Sequence, residues 1–198
     1  AARWPGKAVK VFFMHADPVA VYPQTFLGGL LGPERVDRLF GFFWRYLNRL
    51  NSNYDTAIVT NPALKDRFAG FGLENIQVAP FGVERSKFSP AFRDLTARRE
   101  MLATCGLPND PALLIAVGRH HPEKRLRTII QAVTRAQRTR QIGLYIAGDG
   151  FLRASVERWA LNGRNVYVAG QINDADQLAT VMASADALIH GSAAETFG

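Results

Sequence analysis

Cationic side chains collect at one predicted strand-to-helix junction, in the segment AVGRHHPEKRLRTIIQA (residues 116–132). Gly118 would let the backbone approach a ligand closely, and Arg119 carries a planar fork of donors that matches phosphate oxygens. Lys124 follows at the predicted first turn of the next helix, where free N–H groups and the helix dipole favour anions. The pattern favours a diphosphate ligand, and a solvated basic loop before an ordinary helix is the alternative.

A second glycine-rich turn follows another predicted strand, in AGDGFLRASVERWA (residues 147–160). Gly148, Asp149 and Gly150 resemble part of a dinucleotide fingerprint, but Arg153 occupies the third glycine position. The next predicted strand also ends without an acidic residue. The pattern therefore does not favour NAD, and we predict a tight turn that lines the same cleft.

The last residues of the chain, IHGSAAETFG, follow a further predicted strand. The carboxylate of Glu195 there could accept hydrogen bonds from sugar hydroxyls, or it could favour a helix N-terminus through the dipole. Ser192 could cap a helix or donate its hydroxyl to phosphate. Both residues are therefore candidates for the same ligand site.

A histidine, His15, directly follows the first predicted strand. A histidine at the carboxyl end of a strand is placed for catalysis or for contact with an oxyanion, although many such residues are only structural. Asp17 could orient His15 or cap the turn.

No cluster of ligand-type residues favours a metal site. The DAD triplet at 174–176 opens a predicted helix, where Asp is a common N-cap, and His120 and His121 are too close in sequence to face one metal ion. Cys105 is the single cysteine, so no intrachain disulfide forms and a reducing compartment is favoured. We predict neither a metal nor a cofactor.

Five aromatic residues and three arginines lie together in RLFGFFWRYLNRL (residues 38–50), which we predict to be helical. Arg38, Arg45 and Arg49 recur at near-helical spacing, which would suit a helix lying in a membrane interface. Burial of the aromatic residues against a sheet is the alternative, and Gly41 weakens a continuous helix in either case.

The composition limits the class of partner. The chain has 198 residues, 47% of them hydrophobic, and a net charge of +7, which favours nucleotides, phosphates, nucleic acid or an anionic membrane surface. No apolar run approaches the roughly 20 residues that span a bilayer. We expect a cytoplasmic protein, with peripheral contact at the inner face of the membrane as a further expectation.

Hydrophobic periodicity predicts alternating strands and helices, which is typical of parallel sheets covered by helices. We predict a long loop at 15–33, strands at 8–14, 55–60, 74–80, 112–118, 143–148, 165–170 and 186–191, and helices at 33–52, 61–72, 92–108, 123–137, 150–163 and 174–185. In the helix after residue 123, Leu126, Ile129, Ile130 and Val133 would face the core, and Arg125, Arg127 and Arg135 would face solvent. The shift to basic, proline-containing sequence between 84 and 108 predicts two domains, 1–88 and 89–198.

Residues 54–198 resemble the GT-B glycosyltransferases, and specifically the retaining enzymes of glycosyltransferase family 4. Five stretches follow in that family's order and spacing: TNPALKDRFAGFGLENIQVAPFGVERSKFSP, VGRHHPEK, LYIAGDGFLRASVE, NVYVAG and DALIHGSAAETFG. The resemblance implies an α/β fold of two Rossmann-like domains facing a cleft. Parts of both domains would lie outside this chain, since the family's acceptor loop would precede Ala1 and half of the second domain would follow Gly198.

The family's site residues map onto positions of this sequence. By resemblance, Arg119 and Lys124 would contact the donor diphosphate, and His15 would lie near the transferred sugar. Glu195, Thr196, Phe197 and Gly198 would contact the donor sugar, and the catalytic residues would be His15 and Glu195. Three positions depart from the family pattern: Arg125 replaces a common Gly, HGS replaces Pro-Ser, and Glu84 replaces an Asp.

The resemblance implies metal-independent transfer of a sugar from a nucleotide-diphosphate-sugar donor to a glycan or lipid-linked acceptor, without nucleic acid as a partner. A sugar-nucleotide epimerase or a phosphorylase of the same architecture is an alternative. The charge and residues 38–50 keep open a non-catalytic module that binds anions or a membrane surface.

Overall fold

The computed structural model describes residues 8–108 and 111–192, which divide into two compact units on either side of the Gly82–Val83 bond. Each unit contains one parallel sheet with helices packed on it, as the alternating pattern predicts. Within the described ranges, no helix combines the length and apolar character that a bilayer crossing requires.

The first unit has a three-stranded sheet in the order β1-β2-β3. Its elements are β1 (Val11–Met14), a π-helical segment (Ala20–Gln24), α1 (Thr25–Leu31), α2 (Pro33–Leu39), α3 (Gly41–Asn51), β2 (Thr56–Val59), α4 (Pro62–Gly70) and β3 (Ile76–Val78). The core lies between the sheet and the helices and includes Ala57, Val59, Trp44 and Phe68. Asn61 caps α4 by accepting a hydrogen bond from the Leu64 amide at 2.8 Å.

The structure corrects three local predictions in this unit. The predicted loop at 15–33 is largely helical, because apolar contacts of its side chains with the core outweigh its proline and glycine content. The predicted helix at 33–52 is two helices, broken at Phe40, whose backbone leaves helical geometry just before Gly41. Among the described residues the first strand, predicted to be buried, has one strand neighbour, and its Val11 and Phe13 are each 44% exposed.

The second unit has a four-stranded parallel sheet in the order β6-β5-β4-β7. Its main elements are α5 (Leu95–Thr104), β4 (Ala112–Val117), α6 (Leu126–Ala136), β5 (Ile142–Ala147), α7 (Arg153–Leu161), β6 (Val166–Gly170), α8 (Ala175–Ser184) and β7 (Ala187–Leu188). The predicted core face of α6 is confirmed, since Leu126, Ile129, Ile130 and Val133 are all buried. Arg125, Arg127 and Arg135 are exposed, also as predicted.

The chain order in this sheet creates a crevice at the end of β4. From β4 the chain moves outward through β5 to β6, and it then crosses to the opposite side of β4 to form β7. Ligands of open parallel sheets bind outside the carboxyl ends of the strands where the order reverses in this way. The fold therefore favours a site beyond Val117, where the basic segment begins.

Candidate functional site

A cleft of about 550 Å³ opens at the carboxyl ends of β4, β5 and β6. It brings together five residues that the sequence singles out, Gly118, Arg119, Gly148, Asp149 and Gly150. Gln171, Ile172 and Leu178 also line this cleft. Sequence reasoning missed these three, because they carry no chemical signature and reach the cleft only through the position of β6 and α8.

The two glycine-containing loops of the cleft are joined through their backbones. The Gly118 amide donates to Ala147 at 3.0 Å, and the His120 amide donates to Asp149 at 2.8 Å. Gly148 has a φ of 140°, and a Cβ atom placed on it would lie 2.0 Å from the Gly118 carbonyl oxygen. Only glycine permits this approach, so the loops after β4 and β5 form one continuous wall of peptide groups.

Arg119 extends from this wall toward solvent. Its side chain is 80% exposed, and its Nη2 lies 3.4 Å from Oε1 of Glu123, whose side chain is buried. Among the described residues this is the one ion pair of Arg119, and it leaves most of the five guanidinium donors available to an anion. Arg119 lines the cleft, so this exposed guanidinium is within reach of an anion bound there.

Lys124 lies beside the same glycine, but not in a helix. It ends a single 3₁₀ turn, Pro122–Lys124, whereas the sequence predicts it in the first turn of the helix. The break arises because Arg125 adopts the left-handed conformation, with φ 48° and ψ 39°, before α6 begins. The stem of Lys124 packs on Gly118, where an added Cβ would lie 3.6 Å from Cε.

The left-handed backbone at Arg125 accounts for the glycine that is common at this position in the family pattern. Glycine adopts this conformation without the steric cost that other residues incur, and glycine commonly follows the lysine in the family that the sequence resembles. The side chain of Arg125 is exposed. Its backbone, rather than its charge, therefore defines the junction between the turn and α6.

His120 is a buried group that sequence reasoning did not assign to the cleft. Its side chain is fully buried behind the loop, and neither ring nitrogen has a hydrogen-bond partner among the described residues. Burial lowers the pKa of His120, and the nearby guanidinium of Arg153 lowers it further. These two effects favour the neutral imidazole, which is buried among the residues of this unit.

Arg153, which occupies the third glycine position of the fingerprint, makes contacts that a glycine could not make. Its guanidinium hydrogen-bonds Glu157 at 2.5 Å and Asp149 at 3.3 Å. It also packs so closely on Gly170 that an added Cβ there would lie 2.9 Å from Nη1. The helix and the end of β6 are therefore bridged by an arginine, whereas the dinucleotide fingerprint brings these elements together with glycine.

In the first unit, His15 is exposed at the end of β1. Its ring stacks on Phe13, with 6.2 Å between centroids. Asp17 caps the following segment, because its Oδ1 accepts the Val19 and Ala20 amides at 2.8 and 3.0 Å. Of the two roles that the sequence leaves open for Asp17, the described contacts favour the cap.

Asp17 also takes part in a buried ion-pair network. Its Oδ2 accepts a hydrogen bond from Nε of Arg67, and Arg67 forms two further hydrogen bonds to Asp37, at 2.8 and 3.1 Å. The guanidinium lies over Trp44 and Phe71, 5.5 and 5.2 Å from the ring centroids. One arginine thus joins the segment after β1 to α2, α3 and α4.

The remaining candidate residues lie near or beyond the end of the described chain. Ser192 is half-buried, and the preceding Gly191 approaches the backbone of Lys124, whose carbonyl oxygen would be 3.0 Å from an added Cβ. Glu195, Thr196, Phe197 and Gly198 lie outside the described residues. Gly191, in the segment just before these residues, therefore lies beside the 3₁₀ turn that contains Lys124.

The described residues hold no group of His, Cys, Asp and Glu suited to a metal ion. Asp174 instead caps α8 by accepting the Asp176 and Gln177 amides, at 2.9 and 3.3 Å. The N-cap interpretation of the DAD triplet is therefore confirmed.

The aromatic segment 38–50 is divided between core and surface. Trp44 and Leu47 are buried, as the sheet-packing alternative predicts. Leu39, Phe42 and Tyr46 are 59–61% exposed on the opposite side, close in sequence to Arg38, Arg45 and Arg49. Burial of the aromatic face is therefore confirmed for Trp44, and the contact of this segment with a membrane stays a prediction.

Comparisons with known proteins give consistent results. A family model described as "Glycosyl transferases group 1" matches residues 98–198. The chain is 32% identical, over 88% of its length, to a GDP-mannose-dependent alpha-(1-6)-phosphatidylinositol dimannoside mannosyltransferase of Mycobacterium tuberculosis. That match covers 44% of the relative, so the chain spans less than half the length of this curated protein.

Solved structures show the same fold at low sequence identity. The Anabaena protein HepE, solved with UDP and glucose, has a TM-score of 0.65 at 20% identity, covering 94% of this chain and 47% of that one. WaaG, a glycosyltransferase involved in lipopolysaccharide biosynthesis, has a TM-score of 0.58 at 19% identity, covering 94% of this chain and 51% of that one. The α/β prediction with Rossmann-like units of the GT-B type is confirmed by these neighbours.

Proposed function

Because the chain belongs to the group 1 glycosyl transferase family, we propose that it is part of a retaining glycosyltransferase of family 4. The enzyme moves a hexose from a nucleotide-diphosphate-sugar donor to an acceptor hydroxyl on a growing glycan or a lipid-linked glycan. The observation that carries this proposal is the position of two cations at the carboxyl end of β4, where Arg119 lines the cleft and the stem of Lys124 packs on Gly118.

The second unit, most of which lies in the donor-binding domain predicted at 89–198, binds the donor diphosphate. Peptide groups of the joined loops at Gly118 and Gly148 approach the phosphates, and Arg119 and Lys124 supply positive charge. These groups stabilise the negative charge that develops as the bond from the sugar to the diphosphate breaks. Fixed cations perform this role without a metal ion, and no other cofactor is needed.

The acceptor side belongs to residues 1–88. The acceptor oxygen forms its bond to the anomeric carbon on the face from which the diphosphate leaves, and the departing diphosphate takes the proton, so configuration is retained. His15 contacts the transferred sugar, and Glu195 together with Thr196, Phe197 and Gly198 contacts the donor sugar. The mannosyltransferase relative uses GDP-mannose, which makes GDP-mannose the first donor to test.

Kinetics of the full-length protein test the diphosphate site. We expect Lys124→Ala to lower kcat about a hundredfold, since removing one charge-stabilising donor has this effect in comparable sites. Arg140→Ala is the matched control, because Arg140 is exposed in the same unit and does not line the cleft. Release of GDP or UDP with transfer of the sugar supports the proposal, whereas epimerised donor, phosphorolysis or unchanged kinetics of Lys124→Ala contradicts it.

We further propose that the exposed side of residues 38–50 contacts an anionic membrane from the cytoplasmic side. Exposed apolar rings flanked by arginines suit the interface of a bilayer with acidic lipids. In sedimentation with phosphatidylglycerol vesicles, Phe42→Ser should weaken binding more than Phe151→Ser, which removes an 89% exposed ring from the second unit. Equal binding by both variants contradicts this contact.

A further inference from the structure

A second concavity lies on the outer side of α6 and α7. It has a volume of about 420 Å³ and shares no lining residue with the strand-end cleft. Its polar and aromatic lining comes from Arg127, Gln131, Arg135, Arg138, Trp159 and Asn162, and we call it the α6–α7 groove. A volume of this size is typical of sites for small molecules.

The groove concentrates positive charge that no carboxylate neutralises. In the described part of the chain, Arg127, Arg135 and Arg138 have no acidic side chain within 4.0 Å, and no acidic residue lines the groove. Some arginines of this unit are paired, for example Arg98 with Asp186 and Arg153 with Glu157, whereas the groove collects three that are not. The groove is therefore complementary to an anion.

Helix stability does not account for all three arginines. Arg135 lies in the last turn of α6 and Arg138 lies two residues beyond it, where cations are favoured by the helix dipole. Arg127 is the second residue of the same helix, where the dipole disfavours a cation. Its guanidinium lies 5.9 Å from the centre of the Trp159 ring, which holds it over the groove.

The rest of the lining suits hydroxyl groups and a ring. Gln131 and Asn162 carry amide groups that both donate and accept hydrogen bonds. Trp159 offers an aromatic surface that is only partly buried. Thr134 also lines the groove, but its Oγ1 is buried near Gly163, so the amides and the ring are the groups that face a ligand. A bare phosphate would use the arginines alone, whereas a phosphorylated sugar or polyol would use all of these groups.

We propose that the α6–α7 groove is a second binding site, separate from the cleft, for a phosphorylated sugar or polyol. The arginines bind the phosphate, the amides bind hydroxyls, and Trp159 packs on the ring. Such a ligand is either a soluble sugar phosphate or the headgroup of a phosphorylated lipid. The inference does not depend on the proposed transferase activity, because it rests on groove residues alone.

Calorimetry on the full-length protein tests this site with glucose 6-phosphate, glucose and inorganic phosphate as probes. We expect glucose 6-phosphate to bind more tightly than either of the others. Arg127→Gln combined with Arg135→Gln should weaken that binding about tenfold or more, since hydrogen bonds to charged groups are lost. Arg140→Gln, an exposed arginine outside the groove, should have no effect.

Two further measurements separate this site from the cleft and identify the source of the ligand. Binding that persists in Lys124→Ala supports the groove, and loss of binding in that variant overturns it. Sedimentation with vesicles of phosphatidylinositol or phosphatidylcholine identifies the source of the ligand. Stronger binding to phosphatidylinositol that the Arg127→Gln, Arg135→Gln double variant loses indicates a lipid headgroup. Equal binding of wild type and double variant to these vesicles indicates a soluble sugar phosphate. Equal affinity for inorganic phosphate, binding unchanged in the double variant, or preference for a polyglutamate peptide overturns the proposal.

Discussion

The two units place candidate functional groups after β1 and β4 but secure those segments by different means. The segment after β1, which contains His15, is held in place by side chains, because Asp17 accepts a hydrogen bond from Arg67, 50 residues further along the chain. The segment after β4, with Arg119, is tied down by peptide groups that bond the two glycine loops to each other. The first arrangement depends on charge, and the second depends on the absence of a side chain.

This difference determines what each segment tolerates. A network of ion pairs fails when one charge is removed, because the remaining buried charges lose their compensation. A close backbone contact between glycines does not depend on side-chain charge, but the addition of one Cβ atom disrupts it. Three substitutions, in order of decreasing effect, test whether the two segments differ in this way.

Gly148→Ala should have the largest effect. The new methyl group would lie 2.0 Å from the Gly118 carbonyl oxygen, at a φ of 140° that alanine rarely adopts. Because backbone must move on both loops, we expect a loss of about 3–4 kcal/mol in the free energy of unfolding. Denaturant melts of the full-length protein measure it.

Gly29→Ala is the control for the glycine substitution. Gly29 lies in α1 and has no atom within 4 Å of an added Cβ, so alanine should be neutral or stabilising there. A loss at Gly148 no larger than that at Gly29 would show that the loops are not joined by this contact.

Arg67→Met should have the intermediate effect. It leaves Asp17 and Asp37 without their cation, and the side chains of these two residues are only 6% and 14% exposed. We expect a loss of about 2–3 kcal/mol, less than for a fully buried pair because Arg67 is itself 29% exposed. Thermal melts of the variant and of Lys65→Met, an exposed cation on the same helix, give the comparison.

A charge-conserving variant sharpens this test. Arg67→Lys keeps the cation but loses the two-pronged contact with Asp37, so its stability should fall between those of wild type and Arg67→Met. If the lysine and methionine variants are equally unstable, packing on Trp44 and Phe71 holds the segment, and the electrostatic account is wrong.

His120→Leu should have the smallest effect and a dependence on pH. Burial and the charge of Arg153 lower the pKa of His120 in the folded state, although Asp149 and Glu157 oppose this. As pH falls through the ordinary value of 6.5, the unfolded chain therefore binds a proton that the folded protein resists, and stability decreases. His120→Leu and His120→Gln should both weaken this acid dependence, as measured by melts between about pH 8 and pH 5. If both variants keep the pH dependence of the wild-type stability, His120 is not its source and the prediction is wrong.

Much of the second unit's site follows from the sequence because its determinants are local. Glycines after apolar runs, a proline that starts a turn, and Asp or Asn at helix starts act through the backbone within a few residues. These rules located Gly118, Gly148 and the N-caps at Asn61 and Asp174. They misplaced Lys124 by one turn, because the left-handed conformation of Arg125 is unusual for arginine.

The sequence by itself determined the alternation of strands and helices, the buried side of α6, and the collection of cations and glycines after β4. The tertiary structure alone decided the helical form of the segment after β1, the pairing of Asp17 with Arg67, the burial of His120 and the meeting of Arg127 with Trp159. The two sets of features differ because their interactions act over different separations along the chain. Backbone preferences act between neighbours in the chain, whereas ion pairs, burial and grooves depend on which distant side chains packing brings together.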